Sequence, residues 1–317
     1  MYAAKLDGEG AAMYDAAVAL SGSMIELGIA IGGKDSLLMA PCVSGEVVKA
    51  PGNIVISTYV TCPDITLTVT PDLKLGNNGV LLHIDPGKGK RRLGCSALAQ
   101  AFGQVGDECP DLDDVPYLKK VFETTQELLS KQLTSAGHDT TDGGIIVTVL
   151  EMAYAGNCGV QLNMSTRGYS ILETLFAEEL GLVLEISLGN LDAVRQKLKS
   201  SGISADIIGK VTELPIIELS VDGTLQLKEE TAHLRDQWEE TSFQLEGLQS
   251  LASCIKSEKE GLKTRVAPWW ELSFSPKSTD SIVMAAKVKP KAAIIREEGS
   301  NGDREMSAAL YAAGFEP

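Results

Sequence analysis

Gly137-His138-Asp139-Thr140-Thr141-Asp142-Gly143-Gly144 runs directly into Ile145-Ile146-Val147-Thr148-Val149-Leu150-Glu151-Met152-Ala153-Tyr154-Ala155-Gly156-Asn157. In the second half Ile145, Thr148, Val149 and Met152 fall at i, i+3, i+4 and i+7, the spacing that predicts a helix with one apolar face. The first half reads as a turn dense in oxygen, with carboxylates at Asp139 and Asp142 and hydroxyls at Thr140 and Thr141. The Gly143-Gly144 pair permits close backbone approach to a ligand at the helix start, where free N–H groups and the helix dipole favour anions. Carboxylates, bare glycines and a helix N-terminus together suit a phosphate carried with Mg²⁺, which binds through one or two carboxylates plus phosphate oxygens. The same residues also suit a plainer arrangement, in which Asp142 caps the helix after a glycine turn.

Composition narrows the classes. A chain of 317 residues has room for roughly two domains and an ample core. Hydrophobic content of 44% with 5% aromatics fits an ordinary α/β protein, and no apolar run approaches the ~20 residues of a membrane span. A net charge of −15 argues against non-specific nucleic-acid binding. It also means that an anionic substrate needs local help from a metal, helix dipoles or a few placed cations. The six cysteines (42, 62, 95, 109, 158 and 254) form no CxxC pair and no zinc spacing, and read as reduced thiols.

Working outward to the N-terminus, residues 1–9 carry neither a basic region nor an apolar one, so they predict no signal or transit peptide. Met13, Ala16, Ala17, Leu20, Met24 and Leu27 lie on one face of a predicted helix over 10–28, ended by Gly28. Gly32-Gly33-Lys34-Asp35-Ser36 is a tight glycine turn with a lysine at its exit. Its spacing is not GxxxxGK[ST], so either a phosphate loop or a βα turn with a solvated lysine fits. β-branched content predicts strands over 53–62 and 66–70, and the polar stretch 72–79 marks a domain boundary. Residues 80–84 predict a buried strand, with His83 as a packed core histidine. Residues 88–92 are the basic cluster Lys88-Gly89-Lys90-Arg91-Arg92, with a solvated loop as the default reading.

Downstream, helices are predicted over 96–105, 115–136, 171–178 and 191–200, and strands over 160–164, 181–188, 206–211 and 216–221. Mixed helices and strands point to a layered α/β or α+β domain ending near Leu227. A charged helix over 229–250 follows, then an irregular stretch over 252–287 containing Trp269, Trp270, Pro268 and Pro276. A strand over 291–296 and a helix over 304–313, closed by Gly314, form one βα step. A lone βα step cannot bury its own faces, and the first helix has nothing before it to pack on, so the expectation is a chain cut at both ends.

Several stretches carry a resemblance beyond composition: YAAKLDGEGAAMYDA from Tyr2, LGIAIGGKDSL, VTPDLK, AGHDTTDGG, LEMAYAGNCG, LFAEELGLVLE, WEETSFQL and IREEGSNGDREM. With these motifs the chain closely resembles the phosphoribosylformylglycinamidine synthase family, the large single-chain enzymes of purine synthesis, and most of all their plant form. The resemblance implies an α/β (α+β) fold in four parts. Residues 1–72 would be the end of a PurM-like, ferredoxin-like N-terminal domain. Residues 73–228 would be an aminoimidazole-ribonucleotide-synthetase-like (PurM-like) C-terminal domain. Residues 229–288 would be a helix and linker, and 289–317 the first βα unit of a class I glutamine amidotransferase domain.

The resemblance also implies the chemistry. The family uses ATP to phosphorylate the amide oxygen of formylglycinamide ribonucleotide, and ammonia from glutamine then displaces phosphate to give the amidine. Amide oxygen is a poor leaving group, and phosphorylation converts it into a good one. Carried over by motif, Asp139 would be a Mg²⁺ ligand and Thr141 a nucleotide-contacting hydroxyl, with Gly143, Gly144 and Lys34 beside the nucleotide phosphates. The family's other metal ligands would precede Met1, and its glutaminase cysteine and histidine would follow Pro317. No catalytic residue is therefore assigned in this stretch, and the isolated chain is expected to show neither synthase nor glutaminase activity.

The implied partners are formylglycinamide ribonucleotide, glutamine-derived ammonia and the remaining domains of the same enzyme, with no nucleic acid and no membrane. The implied compartment is the cytoplasm, or the plastid or mitochondrion if the full precursor carries a transit peptide. The chain departs from the family at Leu38, where serine is usual, in the turn before it, which is one residue short, and at Cys95, where the family has glycine. Two other readings compete: a non-catalytic fragment or scaffold pseudo-half, and another ATP-dependent enzyme of the superfamily, such as a selenophosphate synthetase or thiamine-phosphate kinase. WEETSFQL and NGDREM weigh against the latter.

Overall fold

The computed structural model describes residues 2–32, 42–106, 108–262, 264, 273–275 and 277–317. The chain divides into two units, Met1–Arg265 and Val266–Pro317. In the first, helix α1 (Glu9–Leu27) precedes a short hairpin, β1 (Cys42–Val43) with β2 (Glu46–Val47). Gly28 closes α1 in the left-handed region at φ 79°, its N–H donating to the Ile25 and Met24 carbonyls, a conformation that glycine adopts without a Cβ penalty. Then come β3 (Gly79–Ile84), α2 (Ala97–Ala101), α3 (Val115–Ser130), β4 (Ala136–Asp139) and α4 (Gly144–Gly156). They are followed by β5 (Gly159–Met164), α5 (Ile171–Phe176), β6 (Leu182–Ser187), α6 (Leu191–Ser200), β7 (Ala205–Thr212), β8 (Ile216–Val221), β9 (Thr224–Glu230), α7 (Thr231–Glu246) and α8 (Ala252–Leu262).

Seven strands form one sheet in the order β4-β6-β3-β7-β5-β8-β9. Every pair is antiparallel except β5 with β8. The central strand β3 is buried along its whole length, so its near-continuous apolar sequence serves both faces. Leu81 joins a core with Ile145, Val149 and Met152 of α4, Leu175 of α5 and Val160 of β5. Leu82 and Ile84 join a second core with Val121 and Leu128 of α3 and Val194 and Leu198 of α6. The sheet thus lies between two helical layers, and each fully buried leucine contributes about 1.5–3 kcal/mol.

Two core polar groups are held by hydrogen bonds. Glu185 is fully buried on β6, where its carboxylate accepts from the Lys74 and Leu75 backbone N–H groups at 3.2 and 3.0 Å and from the Ser135 hydroxyl at 2.7 Å. Arg235 of α7 is buried and donates to the Asn157 side chain at 2.7 Å, tying α7 to the end of α4. The second unit holds α9 (Ser281–Met284) and α10 (Asp303–Ala312), with an isolated parallel bridge between Lys291 and Glu316.

Most sequence-predicted elements are present within a residue or two, and the exceptions have physical reasons. The β-branched run over 53–62 forms no strand and is exposed, with Tyr59 at 94% and Val60 at 92%. Strand propensity is largely the fit of a side chain to neighbouring strands, and this run pairs with no strand among the described residues. Over 66–70 the chain instead makes a 3₁₀ turn, Ile65–Leu67, whose Thr66 N–H and hydroxyl are met by the Asp64 carboxylate. The helix predicted over 115–136 stops at Ser130, where Gln132 turns to φ 52° and the chain starts β4. Residues 252–262 are helical rather than irregular, and 291–296 contribute one bridge rather than a strand. Lys34 and Leu38, with the loop that holds them, and Pro268, Trp269, Trp270 and Pro276 lie outside the described residues.

Candidate functional site

The stretch from Gly137 to Asn157 is a strand–turn–helix unit: β4 at the edge of the sheet, a four-residue turn, and α4 beneath the central strands. The turn is fixed from inside. The Thr140 N–H donates to the Gly181 carbonyl at 2.9 Å, and the Thr141 N–H to the Thr148 hydroxyl at 3.2 Å. That hydroxyl donates in turn to the Gly144 and Asp139 carbonyls at 3.2 and 3.3 Å. Ladder bonds, turn and first helical turn therefore share one small network.

The outer side of this turn is a cavity of about 550 Å³ lined by Asp139, Thr140, Thr141, Asp142, Glu151 and Glu178. The side-chain polar atoms of these residues are all oxygens. The Asp139 side chain is 76% exposed, within 3.3 Å of His138 Nδ1. His138 Nε2 lies 3.4 Å from Glu151 Oε2, and the same oxygen accepts from the Thr141 hydroxyl at 3.2 Å. The Thr140 hydroxyl oxygen is buried with no partner among the described residues. Carboxylates and hydroxyls of this kind are hard-oxygen donors and suit Mg²⁺. Among the described residues, no group of three or more His, Cys, Asp and Glu is placed to hold a metal ion.

Each predicted residue has a definite place here except Lys34, which lies outside the described residues. Asp139 and Thr141 both line the cavity. Gly143 and Gly144 take φ 92° and 74° at the start of α4, but their N–H groups are not free. Gly143 donates to Glu178 Oε1 at 2.7 Å and Gly144 to the Thr141 carbonyl at 2.9 Å. The expected anion at this helix start is thus a carboxylate of the chain itself, and a phosphate at Gly143 would have to displace it. Asp142 is not the cap either: Gly143 occupies the N-cap without any side-chain cap bond, and Asp142 is exposed.

Glu178 and Glu151 are the residues that sequence reasoning missed. Glu178 sits just past α5, and its Oε1 also accepts from the Ala97 N–H at the start of α2, at 2.8 Å. It lies in the quoted LFAEELGLVLE stretch, whose adjacent acids were the available signal. Its neighbour Glu179 is buried and binds Arg92, accepting from Nε at 2.7 Å and Nη2 at 2.8 Å. The basic cluster as a whole is paired rather than simply solvated: Lys88 with Asp114, Lys90 with Asp113 and Arg91 with Asp85. His83 is packed as expected, and burial pushes its imidazole down to about 4. Gly181 explains part of that packing, since a Cβ there would meet Thr140 Oγ1 at 2.1 Å and His83 Nε2 at 3.0 Å.

Comparison with known proteins agrees with this architecture. Residues 78–222 match the family described as AIR synthase related protein, C-terminal domain. The chain is 68% identical over 319 residues to the probable phosphoribosylformylglycinamidine synthase, chloroplastic/mitochondrial, of Arabidopsis thaliana, with all of this chain and 23% of that protein aligned. It is 46% identical over 321 residues to the phosphoribosylformylglycinamidine synthase of Homo sapiens, again along its full length and over 24% of the relative. Among solved structures it is similar to T. maritima PurL complexed with FGAR, with 16% identity and a TM-score of 0.45 over 54% of this chain and 30% of that one. The chain spans about a quarter of the length of the curated relatives it matches and is homologous throughout to that one segment of them.

Proposed function

We propose that this chain is the segment of a phosphoribosylformylglycinamidine synthase that supplies one wall of its ATP site. The whole enzyme then uses ATP and glutamine-derived ammonia to convert formylglycinamide ribonucleotide into its amidine. The full-length identity with the plant relative is the observation that carries this reading. The domain organisation we assign is the end of a ferredoxin-like domain over 1–72, the AIR-synthase-type domain over 73–228, a helix and linker over 229–288, and the opening of a glutaminase domain from 289. The exposed β-branched run over 53–62 suits that division, because its strand partners would belong to the rest of the ferredoxin-like sheet. We assign the plastid or mitochondrion as the compartment, following the plant relative's name.

The acidic cavity has a clear task in this reading. Asp139 points an exposed carboxylate into it and would hold Mg²⁺, which when bound neutralises phosphate charge and polarises the phosphoryl group. Thr141 offers its hydroxyl to the nucleotide. Gly144 keeps the turn close to the α5 end. Gly143 meets phosphate only if the Glu178 carboxylate swings away, and Lys34 would add the cation that a protein of net charge −15 needs near a triphosphate.

The test is to exchange this chain for the matching segment of the Arabidopsis relative and assay the chimera with ATP, Mg²⁺, glutamine and formylglycinamide ribonucleotide. Amidine formation dependent on ATP and glutamine is expected. A folded chimera that hydrolyses glutamine yet forms no amidine would overturn the assignment.

A further inference from the structure

A pair of cysteines lies outside the acidic cavity and has no part in the proposed reaction. Cys95 and Cys109 are both exposed, and their sulfurs are 3.3 Å apart. A disulfide bond is about 2.0 Å, so closure needs an approach of only about 1.3 Å, within reach of side-chain rotation. The backbones already meet: the Gly94 N–H donates to the Glu108 carbonyl and the Cys95 N–H to the Val105 carbonyl, each at 2.6 Å. A Cβ on Gly94 would lie 2.3 Å from the Glu108 oxygen and 2.8 Å from the Cys109 nitrogen, so nothing larger than glycine fits between the two segments. Cys95 itself sits at φ 59°, a left-handed conformation that favours glycine. A strained position carries a thiol, and that thiol faces a second one. Cys158, by contrast, is buried, and Cys42, Cys62 and Cys254 are exposed elsewhere along the chain.

We infer that Cys95 and Cys109 form a reversible dithiol–disulfide pair, a modification site oxidised by exchange with a small disulfide such as oxidised glutathione. One cysteine thiolate attacks the small disulfide, whose S–S bond breaks to release one small thiolate and leave a mixed disulfide. The second cysteine thiolate displaces the other small thiolate and closes the protein bond. Two cysteine thiols are oxidised, one small disulfide is reduced to two thiols, and the two protons pass to those thiols. Hydrogen bonding to Cys95 raises the Cys109 thiol above its ordinary value and nearby Arg92 lowers it, so exchange quickens as pH rises. Closure ties off the loop that carries α2, whose Ala97 N–H holds the same Glu178 oxygen as Gly143. Only this link to the acidic cavity rests on the proposed function; the oxidation does not.

The full chain is equilibrated in graded mixtures of reduced and oxidised glutathione, quenched with iodoacetamide and digested with trypsin. Both cysteines fall in one tryptic peptide, 93–119. The expected product is that peptide two hydrogens lighter and unalkylated. Its share should rise with oxidised glutathione and vanish on dithiothreitol treatment, with two fewer thiols titrated per chain. Cys95→Gly, which suits the local backbone, should fold and give no peptide lacking two hydrogens under any mixture, its Cys109 being either alkylated or bound to glutathione. Undiminished alkylation at the oxidising limit, or separate glutathione adducts on the two cysteines without the internal bond, would overturn the inference. Neither outcome bears on nucleotide binding, so the two readings fail independently.

Discussion

A Cβ placed on Gly144 would stand 2.7 Å from the Leu175 carbonyl oxygen and from the Phe176 backbone, at a φ of 74°. Both the conformation and the space exclude a side chain, so Gly144→Ala is expected to destabilise by more than about 1 kcal/mol, read as a lower urea midpoint at unchanged slope. His83 makes a different prediction, because its folded value of about 4 lies below the ordinary 6.5. The folded state disfavours the proton, so this group's contribution is complete above pH 6.5 and is lost as pH falls from there towards 4. Urea titrations across that window should show stability declining with acid, and His83→Gln should flatten the decline. A slope unchanged in the variant would place its origin elsewhere. At this scale the oxygen-rich turn that brings Asp139 and Thr141 to one cavity was legible because its residues are consecutive. Glu178 was not, since it reaches Gly143 from 35 residues away, a distance that only the folded sheet closes.

Secondary elements were legible where the pattern is local and fell short where a distant partner decides. The α4 helix and the β3 strand follow from periodicity and an apolar run, and both are present. Two strands of the sheet went unread: β4, whose Gly137–Asp139 read as part of the turn, and β9, which Asp222-Gly223 announces, both with positive φ, 47° and 78°, as the tight turn between β8 and β9 requires. The run over 53–62 failed in the opposite sense, having strand composition without a strand to pair with. β6 carries the element-scale prediction. Glu185 satisfies two backbone N–H groups and a hydroxyl from inside the core; Glu185→Ala leaves the two N–H groups unpaired, while the Ser135 hydroxyl keeps the residue 185 carbonyl as acceptor. At about 1–3 kcal/mol for each orphaned group, the loss should rank among the largest of any single substitution in this sheet. A melting temperature close to the wild type would show that water replaces the carboxylate.

For the molecule as a whole, the domain class was legible from motifs spread along the chain, and residues 78–222 form the sheet and helical layers that those motifs belong to. What the sequence did not disclose is that the helix start expected to bind phosphate is filled by the chain's own carboxylate, and that the basic cluster is spent on ion pairs. With a net charge of −15, a nucleotide would enter the acidic cavity only with a bound cation, and Asp139 presents an exposed carboxylate there. The direct measurement is calorimetric titration of ATP, with and without Mg²⁺, into the segment-exchanged synthase and its Asp139→Asn variant. The account predicts that Mg²⁺-dependent affinity falls at least about tenfold in the variant, some 1.4 kcal/mol, with the fold intact and the Mg²⁺-free affinities alike. Equal affinities for the Mg²⁺ nucleotide in the two proteins would contradict it.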